Sequence, residues 1–272
     1  MALVLGAACG KSEAPVDAGH DADAGTDAGP QRVCLADRLD AGADDAGWDG
    51  GLDFSCRGQP AGAGGQAQLV ITGKTTKAGF TRSLLPGVRL ELLSPSGTVL
   101  ATATSDADGG YALSFDAGCE PLDGEVRATY DDGGDAGFFP SYTVPHTPWR
   151  YDRGGLELVL FDASTRGLLA AIASVTLQPS TSALALTVED CAGNPVEGAT
   201  LSLSVDGGVV RYVGASGLPT MQQINTGATG EAVIFNLTGD SVEVTATRGG
   251  EVVGRRVVPL HVDSVTGTTL SP

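Results

Sequence analysis

Lysine is almost missing from this chain: only Lys11, Lys74 and Lys77 occur, and histidine is as rare, at His20, His146 and His261. Sixteen Lys+Arg face 33 Asp+Glu, a formal charge of −17. Nucleic acid wants a basic stripe to replace its counterions, so this balance excludes it as a partner. Charge-driven docking on an anionic lipid surface is excluded for the same reason. No apolar run reaches about 18 residues, so no helix is expected to span a bilayer. Gly167 to Ala173, a helix-like apolar run, is far shorter. Aromatics make up 5% of the chain. No GxSxG elbow, HExxH helix or phosphate-binding loop is present, and no CxxC or HxxxH spacing suggests zinc. The expectation is no enzyme, no catalytic residue, no metal and no cofactor.

What is abundant is turn chemistry. Forty Gly and 14 Pro break the chain into short segments rich in β-branched residues. Between Leu69 and Phe115 such segments alternate with Pro86-Gly87, Ser94-Pro95-Ser96-Gly97 and Ser105 to Gly110. Val88, Leu90 and Leu92 alternate with Arg89, Glu91 and Leu93, and Tyr111, Leu113 and Phe115 with Ala112 and Ser114. That is the period-two pattern of half-buried strands. Pro pre-sets φ in the turns, and Gly admits positive φ. The first strand, from Leu69, is read as ending on Gly73. Strands at this spacing predict antiparallel sandwiches rather than βαβ units.

The same grammar returns after Ala183. Leu184 to Glu189 leads into Asp190-Cys191-Ala192-Gly193-Asn194-Pro195-Val196-Glu197-Gly198-Ala199, a turn and re-entry. Thr200 to Val205 and Val209 to Val213 flank Gly207-Gly208, a hairpin turn. Thr226 to Phe235 echoes Thr104 to Phe115, and Val252–Leu260 and Val265–Leu270 close the sheets. The fold class is therefore all-β: two antiparallel immunoglobulin/transthyretin-like β-sandwiches after a disordered acidic N-terminal tether. The boundaries are 1–9 for a truncated signal, 10–64 for the tether, 65–163 for the first sandwich, 164–178 for a linker and 179–272 for the second. The linker is expected to hold a helical turn or two capped by Ser164 or Thr165.

Pro86-Gly87-Val88 and Thr104-Ser105-Asp106-Ala107-Asp108-Gly109-Gly110-Tyr111 resemble the carboxypeptidase regulatory-like domain, a transthyretin-like sandwich, over roughly Gln66 to Asp162. The resemblance implies a fold and no particular activity, since the module accompanies many unrelated proteins. The peptidase domain of the family name is absent.

Met1 to Ala8 is apolar, ends in small residues and meets Cys9. This resembles the tail of a bacterial lipoprotein signal with Cys9 as the lipidated residue. Gly6 separates Leu5 from the alanines and no basic segment precedes them, so the true start is expected upstream. Gly10 after Cys9 favours the outer membrane by that resemblance. The whole arrangement resembles predicted lipoproteins of the myxobacterial type. Ser12 to Gly51 repeats Asp-Ala-Gly units, as in Asp21 to Gly25 and Asp40 to Gly47. It has too little apolar surface to offset ordering entropy and reads as a solvated tether.

Apart from Cys9, four cysteines remain: Cys34, Cys56, Cys119 and Cys191. An even set in an exported chain predicts two disulfides. The preferred pairing is Cys34–Cys56, pinning the tether to the first sandwich, and Cys119–Cys191, stapling the sandwiches together. Lysine and asparagine never share a sandwich, because Asn194, Asn225 and Asn236 all lie in the second. An intradomain Lys–Asn isopeptide is therefore excluded, and a Lys–Asp bond in the first sandwich is not. Phe138, Phe139, Tyr142 and Trp149 concentrate aromatics in one loop-rich stretch. They either cover one end of the first sandwich or expose a patch for a glycan or protein. The leading expectation is a non-catalytic, lipid-anchored cell-envelope protein, outer-membrane and facing the periplasm or the surface, presenting two sandwiches for binding or scaffolding. Its partners are the membrane through the N-terminal lipid and an envelope protein or polysaccharide. The alternative is a carbohydrate-binding or adhesive surface protein.

Overall fold

The structure is a computed structural model and describes residues 52–57, 65–79, 81–131 and 137–272. Cys9, Cys34 and the acidic tether lie outside the described residues. The first half supplies β1 (Gln68–Lys77), β2 (Ser83–Leu84), β3 (Arg89–Leu93), β4 (Val99–Thr104), β5 (Gly110–Asp116), β6 (Glu125–Thr129), β7 (Phe138–Phe139), β8 (Ser141–Val144) and β9 (Arg153–Asp162). After the helix α1 (Ala163–Ile172) come β10 (Ser182–Val188), β11 (Thr200–Leu203), β12 (Val209–Val213), β13 (Pro219–Thr220), β14 (Glu231–Leu237), β15 (Ser241–Arg248), β16 (Glu251–Pro259) and β17 (Val265–Leu270).

The expected alternation produces the strands. In β5, Tyr111, Leu113 and Phe115 are buried while Ala112 and Ser114 are exposed. They pack with Leu69, Leu90, Leu92, Leu158 and Leu160 in the first core. β1 does not stop at Gly73; it continues to Lys77, with a register shift against β9 between Ile71 and Gly73. The absent side chain lets the backbone of β9 approach closely there, so a glycine mid-strand marks contact rather than an end.

The two sandwiches do not hang on a linker. One nine-stranded sheet runs through both, in the order β13-β12-β14-β10-β17-β8-β6-β3-β4. The joint is the parallel pair β8–β17, with Ser141 opposite Val265 and Val144 opposite Thr268. A five-stranded sheet (β1, β2, β5, β7, β9) completes the first sandwich, and β11-β15-β16 completes the second.

The ladder registers show how these partner sheets sit. One row crosses Leu90, Ala128, Ser141, Val265 and Ala183. The next crosses Glu91, Arg127, Tyr142, Thr266 and Leu184. Cross-strand neighbours share a face. Leu90 and Ala128 belong to the first core, whereas Leu184 belongs to the second. The two partner sheets therefore cover opposite faces of the shared sheet. On the first sheet's side, α1 covers the second sandwich, with Ala170 and Ala173 against Val213, Val233 and Phe235. β14 is consequently buried along its whole length, and Ala232-Val233-Ile234-Phe235 reads as a continuous apolar run.

The helix starts earlier than expected. Its N-cap is Asp162, whose carboxylate accepts from the Thr165 amide at 2.7 Å and from Ser164 Oγ at 2.8 Å. β9 runs straight into α1, so Ser164 and Thr165 fall in the first turn. The disulfide pairing is also corrected: Cys56 bonds Cys191, with a Cα–Cα distance of 5.7 Å. Residues 52–57 lie on the second sandwich, not the first. Leu52 and Phe54 pack on its core, the Asp53 amide donates to Asp190 Oδ2 at 2.9 Å, and the Cys191 amide donates to Asp53 O at 2.7 Å. Cys119 is disulfide-bonded too.

Candidate functional site at the seam of the two sandwiches

The four aromatics, which either cover one end of the first sandwich or expose a patch, are dispersed. Phe138 meets Tyr130 edge-on, with ring centroids 5.0 Å apart. Phe139 lies under the Arg166 guanidinium, 4.3 Å away. Tyr142 is 8% exposed and stacks on His261 at 3.7 Å. Trp149 is 6% exposed, and its Nε1 donates to Gly124 O at 3.1 Å. Tyr142 and Trp149 therefore serve packing, and no shared exposed aromatic face exists among the four.

The same stretch instead bounds a cleft of about 240 Å³. Its floor is the shared sheet at Ala185, Thr187, Gly267 and Thr269, and its walls are β9 and residues 145–153. The cleft exists because β7 and β8 are one run that changes sheets at Pro140. β7 pairs with β9 at Phe161 and Asp162, and then β8 drops to the shared sheet. Tyr151, 58% exposed, stands at the mouth.

The polar groups around the cleft are largely committed to structure. Asp152 Oδ1 accepts from the Val70 amide at 2.8 Å, and the Asp152 amide donates to Gln66 Oε1 at 2.9 Å. Glu157 accepts from Thr76 Oγ1 at 2.8 Å and pairs with Arg82. Burial, with Arg153 and Arg256, holds His146 below the usual imidazole range. Outside the cleft lining, burial pushes Glu189 up, against the pull of Arg153. Carboxylates tied down in this way position a loop; they are not poised for proton transfer.

On the opposite face, Glu125 pairs with His261 at 2.8 Å, and Arg127 Nε donates to Glu91 at 2.7 Å. Bonds from Glu91 and Tyr142 hold Arg127 above its usual range, despite its partial burial. Glu91 and Arg127 form an ion pair on this face. Lys77 Nζ lies 2.7 Å from Asp162 Oδ2, which places the Lys–Asp pair left open by the sequence at the junction of β1, β9 and α1. Among the described residues no cluster of three or more His, Cys, Asp or Glu is arranged to hold a metal, and no helix is long and apolar enough to cross a membrane.

Sequence reasoning missed the cleft because a parallel pairing across 124 residues, such as Thr268 with Val144, leaves no local signature. The available signal was Gly267, a lone glycine inside an otherwise β-branched strand.

No protein-family model and no curated protein matches the sequence. Among solved structures, the chain is similar to the Bacillus anthracis TIE protein, with 12% identity and a TM-score of 0.23, over 76% of this chain and 34% of that one. It is similar to the shaft pilin spaA from Lactobacillus rhamnosus GG, with 13% identity and a TM-score of 0.22, over 76% of this chain and 98% of that one. The major pilin subunit of Bacillus cereus gives 10% identity and a TM-score of 0.24, over 75% and 99%. At these scores the likeness carries no argument about what the chain does.

Proposed function

We propose that this is a non-catalytic, exported, lipid-anchored envelope protein that presents a rigid double sandwich for binding or scaffolding. The observation that carries the reading is the Cys56–Cys191 bond, which encloses the whole first sandwich in its loop. Disulfides of this kind belong to oxidising compartments. Together with the shared sheet, the bond makes two modules one body. Residues 52–57 are clipped to the second sandwich, where Cys56 Sγ lies 3.9 Å from Pro272 O. Modules of the carboxypeptidase regulatory-like type suit this role, and Gly87 and Gly109 in the two resembling motifs both take the positive φ that those turns need.

Radiolabelled palmitate with membrane fractionation tests the anchor, using the chain behind a complete signal and its Cys9→Ala variant. Label on the parent alone, in the outer-membrane fraction, is expected. Label on neither would sink the anchored reading.

A further inference from the structure

We propose that the seam cleft holds one neutral, polyhydroxylated six-membered ring, a pyranose unit at the end of an envelope glycan. The proposal rests on the binding role above and supplies its ligand class. It is carried by a pair of threonines on the floor. Thr187 of β10 and Thr269 of β17 are direct partners in the parallel ladder. Each lies two positions beyond a floor residue, Ala185 or Gly267, and so shares its face. Thr187 is 6% exposed and Thr269 7%. Among the described residues no group bonds either hydroxyl, and the cleft is the side from which a partner can reach them. Buried hydroxyls are normally bonded, so this pair points to a ligand. Thr143 of β8, opposite Gly267, adds a third hydroxyl to the floor.

The chemistry of the lining selects the ligand class. A threonine hydroxyl donates once and accepts twice, so its best partner is a group that does both, another hydroxyl. Neighbouring strands lie about 4.8 Å apart, close enough for Thr187 and Thr269 to meet adjacent hydroxyls of one ring. Pro148, Leu156 and Val159 give the walls an apolar surface for the ring's C–H groups, and Tyr151 supplies an aromatic face at the mouth. Asp152 and Glu157 are bonded elsewhere, and neither Arg150 nor Arg153 is free, so a charged ligand finds no waiting counter-charge among these groups. A cavity of about 150 Å³ takes a benzene ring. One of about 240 Å³ takes a single six-membered ring with its substituents. The remainder of the glycan would then lie beyond the mouth.

The probes are the methyl glycosides of glucose, galactose, mannose and N-acetylglucosamine, titrated into the full chain and followed by amide NMR. Their methyl group stands where the next unit of a glycan would be attached. At least one is expected to bind with a Kd of about 1–10 mM, with shifts centred on Thr187, Gly267 and Thr269. Thr187→Val and Thr269→Val remove the hydroxyl and keep a residue that suits a strand, and each should weaken that binding about tenfold. Tyr151→Ala, an exposed substitution that spares the fold, should weaken it too. No shift at the floor with any of the four at about 50 mM overturns the proposal. So does unchanged binding in both valine variants. Equal binding of cyclohexanol would overturn it by making the cleft a plain apolar cavity. Binding of the free sugars with rejection of their methyl glycosides would overturn it as well, since the unit would not belong to a glycan. Each of these leaves the palmitate result untouched, so the cleft and the anchor fail separately.

Discussion

Cys56 and Cys191 are bonded across a sequence separation of 135, and the Cys56 amide also points at Cys191 Sγ from 2.9 Å. The bond clips residues 52–57 to the turn that opens the second sandwich. Closing so long a loop in the unfolded chain should contribute about 2–4 kcal/mol. The double variant Cys56→Ser/Cys191→Ser is expected to lose that amount in urea titration. The segment before Arg57 should then become an early site of proteolysis, held by the packing of Leu52 and Phe54 and by the Asp53 bonds to Asp190 and Cys191.

Val144 belongs by sequence to the first sandwich and by packing to the second, where it joins Leu184, Leu186 and Leu270. Val144→Ala removes two methyl groups from that core and should cost about 2 kcal/mol. Because β8 carries it into a shared sheet, the loss should appear in one transition rather than in one half of two. Calorimetry of the parent and the variant reads this directly. Two separated peaks would show that the seam does not couple the sandwiches.

The strands were legible because their side chains alternate, as in Tyr111-Ala112-Leu113-Ser114-Phe115. The joint between the sandwiches was not. Ser141-Tyr142-Thr143-Val144 alternates like any strand, and nothing local says that Val265 lies opposite Ser141. The cysteines failed for a related reason: Cys56 is close in sequence to the first sandwich, yet Asp53 is bound by Asp190 of the second. Of the two roles left open for the aromatics, packing is the one that Trp149 takes, since it spends its N–H on Gly124 inside the fold.

Gly73 is a strict requirement of the β1–β9 contact. A Cβ there would fall on the carbonyl of Leu156 and within 2.9 Å of Tyr111 Oη, and the carbonyl is backbone. Gly73→Ala should therefore cost more than a surface substitution, about 3 kcal/mol or above. A melting curve against Gly97→Ala, which meets nothing within 4 Å but has a positive φ, separates crowding from backbone strain.

Asp162 holds α1 and Lys77 at once. Burial pushes its carboxyl up, but bonds from Lys77, Thr165 and Ser164 outweigh that and hold it well below the usual carboxylate range. A depressed carboxyl contributes stability that is present above the unfolded value of about 4 and lost as pH falls through the folded one. Asp162→Ala should cost about 1–2 kcal/mol at neutral pH through the lost cap, and less in strong acid. The same depression argues against an amide between Lys77 and Asp162, because condensation needs a protonated carboxyl and a neutral amine. The intact mass should show no loss of water.

His146 gives the opposite end of the pH range a reporter inside the cleft. Burial lowers its affinity for a proton, and Arg153 and Arg256 add to the effect. The unfolded chain takes up that proton near pH 6.5, while the folded chain still refuses it. Stability from this residue is therefore full above about pH 6.5 and declines as pH falls through the folded pKa. Urea titrations between about pH 5 and 7.5 should slope in the parent and flatten in His146→Gln. A parent with no slope would mean that the imidazole is as accessible as in the unfolded chain. The walls of the cleft at residues 145–153 would then be open.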